Sequence, residues 1–527
     1  MNSFASLNFL KIRCSYGLSL LAFIFFGSFL RFFWLTHQSL WWDEGFSLQN
    51  SGGDNWLENL QIVRNIHNAD KFQPLYPWIL FHARQVFGSS EYVLRGTSAL
   101  FGILTLPIIY LSACRFYHKR HALWAILLAA TSAFLIYYSQ EVRNYSLLIF
   151  LSALQLYCIS EVILYGKNYR LKFKWAHALL VGLGLFASIQ AVIFSAGLSV
   201  SHFLINRRWR EWLAWWVPAA LSAVPALIYF ATLPGTIDPG EVSVSRATQP
   251  LTLNLAFVAY GVLVGTTYGP DLESLRGTGR WPAIIDALPA LLILLVVGLG
   301  LVYFLCKALV QRADDRELRR SDRFLLYLLL SSSLFGVLFA IFSGMSLVPR
   351  HAFYLWVQLP ILLPIVLYDE KLRTGIIDID RIKFIPTIFL ILLIVLNFYS
   401  AANYFFDGNH WRDDYRGVAQ YFIGNDSDIE QKILFSGEAD ILRYYGVEGV
   451  EGVGGKRIRM LAAGDPAWLE GVNKKAGEAS KILLAIYRPA GFHKADIRGD
   501  LSAEYLISEE IDKFKGFKVF RLIWTGS

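Results

Sequence analysis

Long apolar segments recur along the whole chain, and they restrict it to an architecture that crosses a lipid bilayer many times. A helix needs about 17–25 such residues to span the hydrocarbon core. Candidate spans cover residues 15–34, 93–114, 122–138, 145–164, 213–232, 284–306, 324–343, 353–368 and 384–404. Charged residues make up 17% of the 527 residues, against about 25% in soluble domains. The sequence therefore predicts an integral membrane protein.

The segment 176–205 is long enough for one tilted helix or for two short helices broken around residues 187–190. Loop charge favours two, because basic residues concentrate on the cytoplasmic side of membrane proteins. The basic loops near Lys11, Arg115 and Lys167 share one side, and those beyond residue 206 join them only if 176–205 crosses twice. We therefore predict eleven passes, with the N-terminus inside and the C-terminus outside; ten passes break the rule from residue 206 onward.

The net charge of +8 is spread over these loops, so it indicates topology and no nucleic-acid partner. The four cysteines lie in or beside apolar segments and lack metal-site spacing. The apolar run after Lys11 and Arg13 is long for a signal peptide and no cleavage site follows it, which favours a retained first span.

Beyond residue 405 the pattern changes to short apolar runs separated by turns rich in Gly and Asp. Strands are predicted at 432–435, 482–487 and 519–523, and helices at about 412–423 and 438–445. We expect two domains: an all-α transmembrane bundle over 1–404 and a small extracytoplasmic α/β domain over 405–527.

Two carboxylates, Asp43 and Glu44, follow the first span and fall on the predicted outer side. A carboxylate at the bilayer surface can act as a general base or hold a divalent cation. Alternatively, Asp43 and Glu44 begin a solvated loop below the aromatic residues Trp34, Trp41 and Trp42.

A second ionic cluster, Gln140-Glu141-Val142-Arg143, interrupts two spans on the same side. The turn is too short for a free loop, so Arg143 lies at headgroup depth, where a guanidinium suits a phosphate. Arg350 and His351 open a later span from the same side. The competing explanations are an internal Glu–Arg pair and an interfacial arginine that reaches for water.

Further residues of the outer loops and turns could line a substrate cavity. They are Lys71, Gln73, Tyr76, Tyr138, Tyr145, Arg276 and Arg280. The segment from Pro74 to Phe81 is rich in aromatic residues and is predicted to be a helix lying in the interface. Carboxylates and arginines thus converge on one face, where a transferase needs a donor that is anchored in the membrane and activated by a phosphate.

The motifs Trp42-Asp43-Glu44, Gln73-Pro74-Leu75-Tyr76 and the segment 138–146, followed by Arg350 before a Leu/Pro-rich span, resemble those of the GT-C glycosyltransferases. Within that superfamily the chain is similar to the branch of protein O-mannosyltransferases and lipid A aminoarabinose transferases. The resemblance covers roughly residues 15–405.

The resemblance implies an inverting glycosyltransferase that uses a polyprenyl-phosphate-linked sugar. Asp43 would orient or deprotonate the acceptor, with Glu44 and Glu141 in support. Arg143 and Arg350, with Gln140, would lie near the donor phosphate. Related bacterial sequences often read His-Pro-Pro-Leu-Tyr where this chain has Phe72-Gln73-Pro74-Leu75-Tyr76, so a role carried by that histidine, including metal binding, does not transfer.

Three alternatives differ in what the outer charges do. A lipid or saccharide transporter usually has internal repeats and charges at mid-span; here the charges lie at one face. In a non-catalytic assembly protein of envelope polysaccharide synthesis the charges would be structural, and an oligosaccharide ligase would transfer a chain rather than one sugar. The acceptor could be a lipid, a protein or a polysaccharide, and a bacterial inner membrane is the expected location. The sequence assigns no cofactor and does not determine whether a metal is needed; a divalent cation is compatible with the carboxylates.

Overall fold

The computed structural model describes residues 2–66, 69–234, 251–271, 274–275, 280–311, 316–343, 347–367, 384–453, 467–488 and 497–525. They form a helical membrane bundle followed by a small α/β unit, which confirms the predicted fold class.

The bundle is built from helices whose apolar side chains face either one another or the surrounding lipid. They are α1 (Asn2–Phe32), α2 (Trp42–Asn50), α3 (Trp56–Arg64), α4 (Leu75–Phe87), α5 (Glu91–Phe116), α6 (Lys119–Thr131), α7 (Ala133–Ser139), α8 (Tyr145–Tyr165), α9 (Leu171–Ala187), α10 (Ala191–Asn206), α11 (Trp209–Ala231), α12 (Leu251–Val264), α13 (Arg280–Asp286), α14 (Leu288–Gln311), α15 (Arg316–Ser343), α16 (Phe353–Leu362) and α17 (Phe384–Phe406). Short 3₁₀ turns at Ala69–Phe72, Pro349–Ala352 and Leu363–Leu367 connect or extend them.

Among the described residues, seven helices are long and apolar enough to cross a membrane, or eight if the bent pair α6 and α7 is one span. The break predicted near residues 187–190 is confirmed, because α9 ends at Ala187 and α10 begins at Ala191. Eleven passes also require α1, α9 and α10, whose apolar parts are shorter. The number eleven and the sidedness of the termini therefore stay predictions.

Helix α8 lies at the centre of the bundle: 78% of its most apolar window is buried, against 17% for Leu288–Val310 in α14. The turn that leads into α8, residues 140–144, is consequently surrounded by protein, and every residue in it is buried. This central position sets the geometry of the site described below.

The span before that turn is broken at Ser132, where α6 and α7 meet at a bend of 55°. A broken helix leaves carbonyl groups without partners, and buried carbonyls need one. Arg31 of α1, which is 1% exposed, supplies it: the Nη2 group donates to the Ala129 carbonyl over 3.1 Å and Nη1 donates to the Ala130 carbonyl over 3.3 Å. The side chain of Arg31 thus fixes the break in place.

The α/β unit contains five strands, β1 (Gln431–Phe435), β2 (Val450–Val453), β3 (Lys481–Tyr487), β4 (Tyr505–Ile511) and β5 (Phe517–Trp524), in the order β2-β1-β3-β5-β4. Strands β1, β2 and β3 are parallel, whereas β5 runs antiparallel to both β3 and β4. The three predicted strands are confirmed as β1, β3 and β5. The other two lack a buried apolar run, since β2 has four residues and β4 is a largely exposed edge strand.

The helices of this unit are α18 (Tyr415–Gly424), α19 (Ala439–Tyr444), α20 (Ala467–Ala476) and α21 (Ile497–Ser502). The first was predicted to start at about residue 412. It starts at Tyr415 because the Asp414 carboxylate accepts a hydrogen bond from the Gly417 backbone N–H over 2.8 Å and so caps the helix.

The α/β unit is in direct contact with the segment that follows α1 and with α5. The Ser39 hydroxyl donates to the Asp413 carbonyl over 2.8 Å, and the Leu40 backbone N–H donates to the Tyr445 hydroxyl over 2.7 Å. Arg416 forms an ion pair of 2.7 Å with Glu91 of α5. Residue 405 therefore marks a change in the sequence pattern, whereas in the structure the helical bundle and the α/β unit are in direct contact.

Replacing Arg31 by methionine is expected to destabilise the bundle, because the Ala129 and Ala130 carbonyls would lose a buried donor at a cost of about 1–3 kcal/mol each. The measurement is the thermal unfolding midpoint of the protein in detergent. Arg120→Met removes an exposed charge at the other end of α6 and serves as the control. Equal midpoints for the two variants would show that Arg31 does not support the break.

Candidate active site

Helix α2 begins with the carboxylates predicted to carry the chemistry. Trp41 precedes it in an extended conformation, and the Trp41 backbone N–H donates to Glu44 Oε2 over 3.3 Å. Acidic residues in a first helical turn interact favourably with the N-terminal end of the helix dipole. The turn directs the two carboxylates differently, so that Glu44 is completely buried whereas the side chain of Asp43 is 19% exposed.

Glu44 is the centre of a buried ionic network. Its carboxylate accepts from Arg95 of α5 over 2.7 and 3.0 Å, from Arg412 over 3.1 Å and from the Val142 backbone N–H over 2.9 Å. Burial opposes the ionisation of Glu44, but Arg412 and Arg95 outweigh it and hold the pKa below the ordinary value. Glu44 therefore joins α2, α5, the turn before α8 and the start of the α/β unit, and its oxygens are occupied by these contacts.

Asp43 faces the space between the bundle and the α/β unit. Its Oδ2 accepts from Arg350 Nη1 over 2.9 Å, which brings together two residues that are 307 positions apart. The carbonyl of Asp43 accepts from Arg143 Nη1 over 3.3 Å. Burial would raise the pKa of Asp43, yet the positive charges of Arg350, Arg143 and Arg488 hold it below the ordinary value. Asp43 is thus a carboxylate surrounded by cations.

Arg143 is fixed by Asp70, a residue that the sequence analysis did not select. Two parallel hydrogen bonds of 2.8 and 2.9 Å join the guanidinium to the Asp70 carboxylate. Bidentate pairs of this kind fix the plane of a guanidinium. Asp70 also accepts a short hydrogen bond from Gln73. The orientation of Arg143 toward Asp43 therefore depends on the 3₁₀ turn at Ala69–Phe72.

The side chain of Glu141 is buried away from water. It is 1% exposed, and neither oxygen has a hydrogen-bond partner among the described residues. Burial raises the pKa of Glu141 to about 7; Arg412 opposes this shift, and the negative charges of Asp43 and Glu44 add to it. A carboxyl with a pKa near 7 can both accept and release a proton under physiological conditions.

The structure brings most of the other predicted residues to the same face. Tyr138 and Tyr145 are buried, with ring centroids 5.1 Å apart, on either side of the turn. Lys71 is buried in the 3₁₀ turn, and the Tyr76 hydroxyl is 2.6 Å from Ser98 Oγ. His351 is half-buried next to Arg350.

A narrow polar cleft runs between α2, α4 and the turn before α8. It is lined by Ser47, Asn50, Asp70, Gln73, Tyr76, Pro77, Arg143 and Asn144.

Gln140 occupies a position different from the one expected for a phosphate ligand. Its side-chain amide donates to the carbonyls of Leu30, Arg31 and Phe33 over 3.3, 3.1 and 2.8 Å. Leu30 and Arg31 lie in the last turn of α1 and Phe33 directly follows it, so Gln140 ties the turn to the first span.

Arg276 lies outside the described residues. Arg280 is the first residue of α13, and its side chain is likewise outside the described part of the chain.

The sequence analysis missed five charged residues of the site: Asp70, Arg95, Arg412, Asp413 and Arg488. The segment 411–414 follows the last span directly, just as residues 41–44 follow the first. The same argument from charges beside an apolar span would have selected Arg412 and Asp413. Arg488 offered no such signal, because it follows a strand far along the chain.

Buried polar atoms without partners concentrate around this turn. Among the described residues they include both oxygens of Glu141, Nε of Arg143, Nε of Arg350, Oδ1 of Asn144, and Nε and Nη2 of Arg412. The great majority of buried polar atoms in proteins are paired. Both hydrogen-bond donors and hydrogen-bond acceptors are therefore available here to a polar ligand.

No three His, Cys, Asp or Glu side chains among the described residues are grouped so that they could hold a metal ion. The divalent cation considered from the sequence forms no part of the function proposed below.

Replacing Glu141 by glutamine should stabilise the protein more at alkaline than at acidic pH. Between the ordinary pKa of 4.5 and the folded value of about 7, the folded chain holds a proton that the unfolded chain has lost. The free energy of unfolding therefore falls as pH rises through this window. Glutamine removes this dependence.

The measurement compares unfolding midpoints of wild type and Glu141→Gln at about pH 5 and about pH 8. The exposed Glu58→Gln is the control. A difference between wild type and Glu141→Gln that stays constant with pH would contradict the raised pKa.

Comparisons with known proteins give the wider context of this site. The family model of dolichyl-phosphate-mannose-protein mannosyltransferase matches residues 71–234, a segment that contains Lys71, Gln73 and the turn before α8. No curated protein sequence matches the chain.

Solved structures match over nearly the whole chain. ArnT from Cupriavidus metallidurans in the apo state is 12% identical, with a TM-score of 0.57 over 97% of this chain and 98% of that one. The same protein bound to undecaprenyl phosphate is 12% identical, with a TM-score of 0.55 over 96% and 98%. The apo oligosaccharyltransferase from Archaeoglobus fulgidus is 13% identical, with a TM-score of 0.51 over 90% of this chain and 70% of that one.

The likeness to ArnT extends over the bundle and the α/β unit together, since both chains are covered almost completely. With the match over residues 71–234, it confirms the resemblance on which the motifs were identified. The chain is a polytopic membrane protein, and its fold is that of the GT-C glycosyltransferases.

Proposed function

We propose that the protein is an inverting glycosyltransferase of the bacterial inner membrane. It transfers a sugar from a polyprenyl-phosphate-linked donor to an acceptor on the extracytoplasmic face. Residues 1–404 form the transmembrane catalytic domain, and residues 405–527 form the extracytoplasmic domain. The acceptor is a lipid, a protein or a polysaccharide.

One observation carries this proposal: two arginines from separate parts of the bundle meet at Asp43, next to a buried carboxyl that has no hydrogen-bond partner within the described ranges. Arg350 binds the Asp43 carboxylate and Arg143 binds its carbonyl, while Glu141 has unpaired oxygens close by. Cations aimed at one point stabilise a departing phosphate, and a carboxylate beside them receives a proton. Transfer of a sugar from a lipid phosphate needs both the cations and the carboxylate.

The donor phosphate is assigned to Arg143 and Arg350. Asp70 holds the plane of Arg143, so this guanidinium is preorganised before the donor arrives. Arg350 exchanges its contact with Asp43 for one with the phosphate as the donor binds. The exchange frees the carboxylate of Asp43 for the acceptor. Lys71, Tyr138, Tyr145 and His351 are proposed to line the space that the donor occupies. Gln140 is assigned a supporting role, because its amide holds the turn against α1.

Asp43 is proposed to orient and deprotonate the acceptor hydroxyl or amine. The acceptor atom forms a bond to C1 of the sugar from the face opposite the phosphate. The bond between C1 and the phosphate oxygen breaks, and its electron pair leaves with the lipid phosphate. The acceptor proton passes to Asp43. The low pKa of Asp43 favours its onward release, and Glu141, with a pKa of about 7, can hold that proton. Glu44 supports the step by fixing α2.

Asp43→Asn is expected to reduce transfer by about 100-fold or more, the range of a lost general base. The purified protein in detergent is given radiolabelled polyprenyl-phosphate monosaccharides singly, with membrane extract as the acceptor source, and release of label from the lipid is measured. Asp54→Asn, exposed in the same outer loop, is the control. Wild-type rates in Asp43→Asn would remove its assigned role. No release by wild type from any donor would favour a transporter or an assembly protein.

Binding of the lipid phosphate is expected to depend on Arg143. Removing Arg143 alone would take from the buried Asp70 carboxylate the cation that binds it through two hydrogen bonds, so the informative variant is Arg143→Gln combined with Asp70→Asn. Hydrogen bonds to charged groups contribute about 1.5–3 kcal/mol, which corresponds to roughly 10- to 100-fold weaker binding of undecaprenyl phosphate. Titration of the folded variant measures this constant, and Asp70→Asn alone is the control. Wild-type affinity in the double variant would place the phosphate elsewhere.

A further inference from the structure

The α/β unit presents the carboxyl ends of its parallel strands to the helix that carries Asp43. Strand β3 ends at Tyr487, and the ring of Tyr487 lies 6.2 Å from that of Trp42. A Cβ atom on Gly45 of α2 would come within 2.8 Å of Ile441 in α19. Glycine at this position therefore permits a close approach of the two helices.

Polar contacts support the same docking. On the next turn of α2, the Gln49 amide donates to Glu438 Oε1 over 2.7 Å, and Glu438 lies just beyond β1. Helix α2 is thus in contact with the last residue of β3, with Glu438 just beyond β1 and with α19.

The carboxyl ends of β1 and β3 form the topological switch point of the sheet. Strand β1 continues to β2 on one side, whereas β3 lies on its other side. In open α/β sheets ligands bind outside the carboxyl ends of the strands at such a point. The residues directly after the two strands, Ser436 and Arg488, have positive φ angles of 62° and 49°. Strained backbone of this kind in residues other than glycine is concentrated at functional sites.

Arg488 is held in this position by an acidic residue from the link between the bundle and the sheet. Its Nη2 and Nε lie 2.5 and 3.1 Å from Asp413 Oδ2, and the Tyr487 hydroxyl donates to the same oxygen over 2.6 Å. The guanidinium carbon lies 5.9 Å from the centre of the Trp41 ring. Trp41 immediately precedes α2, whose second residue is Asp43, and the positive charge of Arg488 contributes to the lowered pKa of Asp43. The guanidinium therefore lies within electrostatic range of the carboxylate proposed as the base.

We propose that Arg488 is a positioning residue of the active site, brought by the α/β unit to the side of Asp43 and oriented there by Asp413. This inference rests on the proposed function and deepens it, because the α/β unit then contributes a residue to the catalytic site. When Arg350 turns to the donor phosphate, Arg488 remains as the cation that keeps Asp43 charged and oriented toward the acceptor.

The charged and titratable groups around Asp43 come from four elements. Arg350 precedes α16, Arg143 and Glu141 belong to the turn before α8, Tyr145 begins α8, and Arg488 follows β3. Of the three cations, Arg488 alone comes from the α/β unit. Removing it should raise the pKa of Asp43, because an opposite charge nearby lowers a carboxyl pKa by about 1–3 units.

The first experiment compares wild type, Arg488→Gln, Arg488→Lys and, as a matched control, Arg521→Gln. Arg521 lies on strand β5 and pairs with Asp428 away from the site. Release of label from the donor gives kcat, and titration gives the affinity for undecaprenyl phosphate. We expect kcat to fall about tenfold or more in Arg488→Gln, with unchanged affinity and partial recovery in Arg488→Lys. Unchanged kcat would overturn the proposal, as would a parallel loss of affinity.

The second experiment needs no transferase activity, so its outcome is independent of the proposed function. A hydrophobic carbodiimide modifies protonated carboxyls, and mass spectrometry reports the modified fraction of Asp43 as a function of pH. The midpoint should rise by about one pH unit in Arg488→Gln and stay at the wild-type value in Arg521→Gln. An unchanged midpoint in Arg488→Gln would overturn the proposal even if wild type transferred sugar. A shift without wild-type activity would contradict the proposed function alone.

Discussion

The buried carboxylate of Glu44 is the interaction on which the rest of the structure depends. An ion removed from water costs several kcal/mol unless charge and hydrogen bonds replace its hydration. Glu44 obtains them from α5, from the turn before α8 and from the segment after the last span. The three segments are distant in sequence, and the departure of any one of them would remove part of the compensation for the buried charge. The network therefore joins these segments to the first turn of α2.

A series of contacts then positions the other residues of the site. The turn before α8 is buried because α8 is central, and the bend between α6 and α7 directs the chain into that turn. Arg31 and Gln140 join the bend and the turn to the first span. Arg143 and Arg350 then reach Asp43 from two sides. Polar side chains inside an apolar bundle are costly. Arg31 and Gln140 offset this cost by binding backbone carbonyls at the bend and at the end of the first span.

The sequence was sufficient to predict the membrane bundle, the break near residue 188, three of the five strands and the convergence of Asp43, Glu141, Arg143 and Arg350. These predictions depend on apolar periodicity and on charges beside spans, which are local signals. The partners Asp70, Arg95 and Arg488 were not predicted, because an ion pair between distant segments leaves no mark in either one. Arg412 was also not predicted, although its position after the last span is a local signal that could have selected it. The different environments of Asp43 and Glu44 were also hidden, since neighbouring residues of one helical turn face different surroundings.

Strand β5 lies between β3 and β4 in the sheet, although it follows both in the chain. Strand β3 therefore lacks one neighbour until residues 517–524 have been synthesised and inserted. The conformation of Arg488 at the end of β3 depends on that insertion, since the Arg488 backbone N–H donates to the Gly516 carbonyl just before β5. Asp43, by contrast, is synthesised near the start. The surroundings of Asp43 are thus completed only at the end of the chain, and a nascent chain carries this carboxylate long before it acquires Arg488, the cation that the α/β unit contributes.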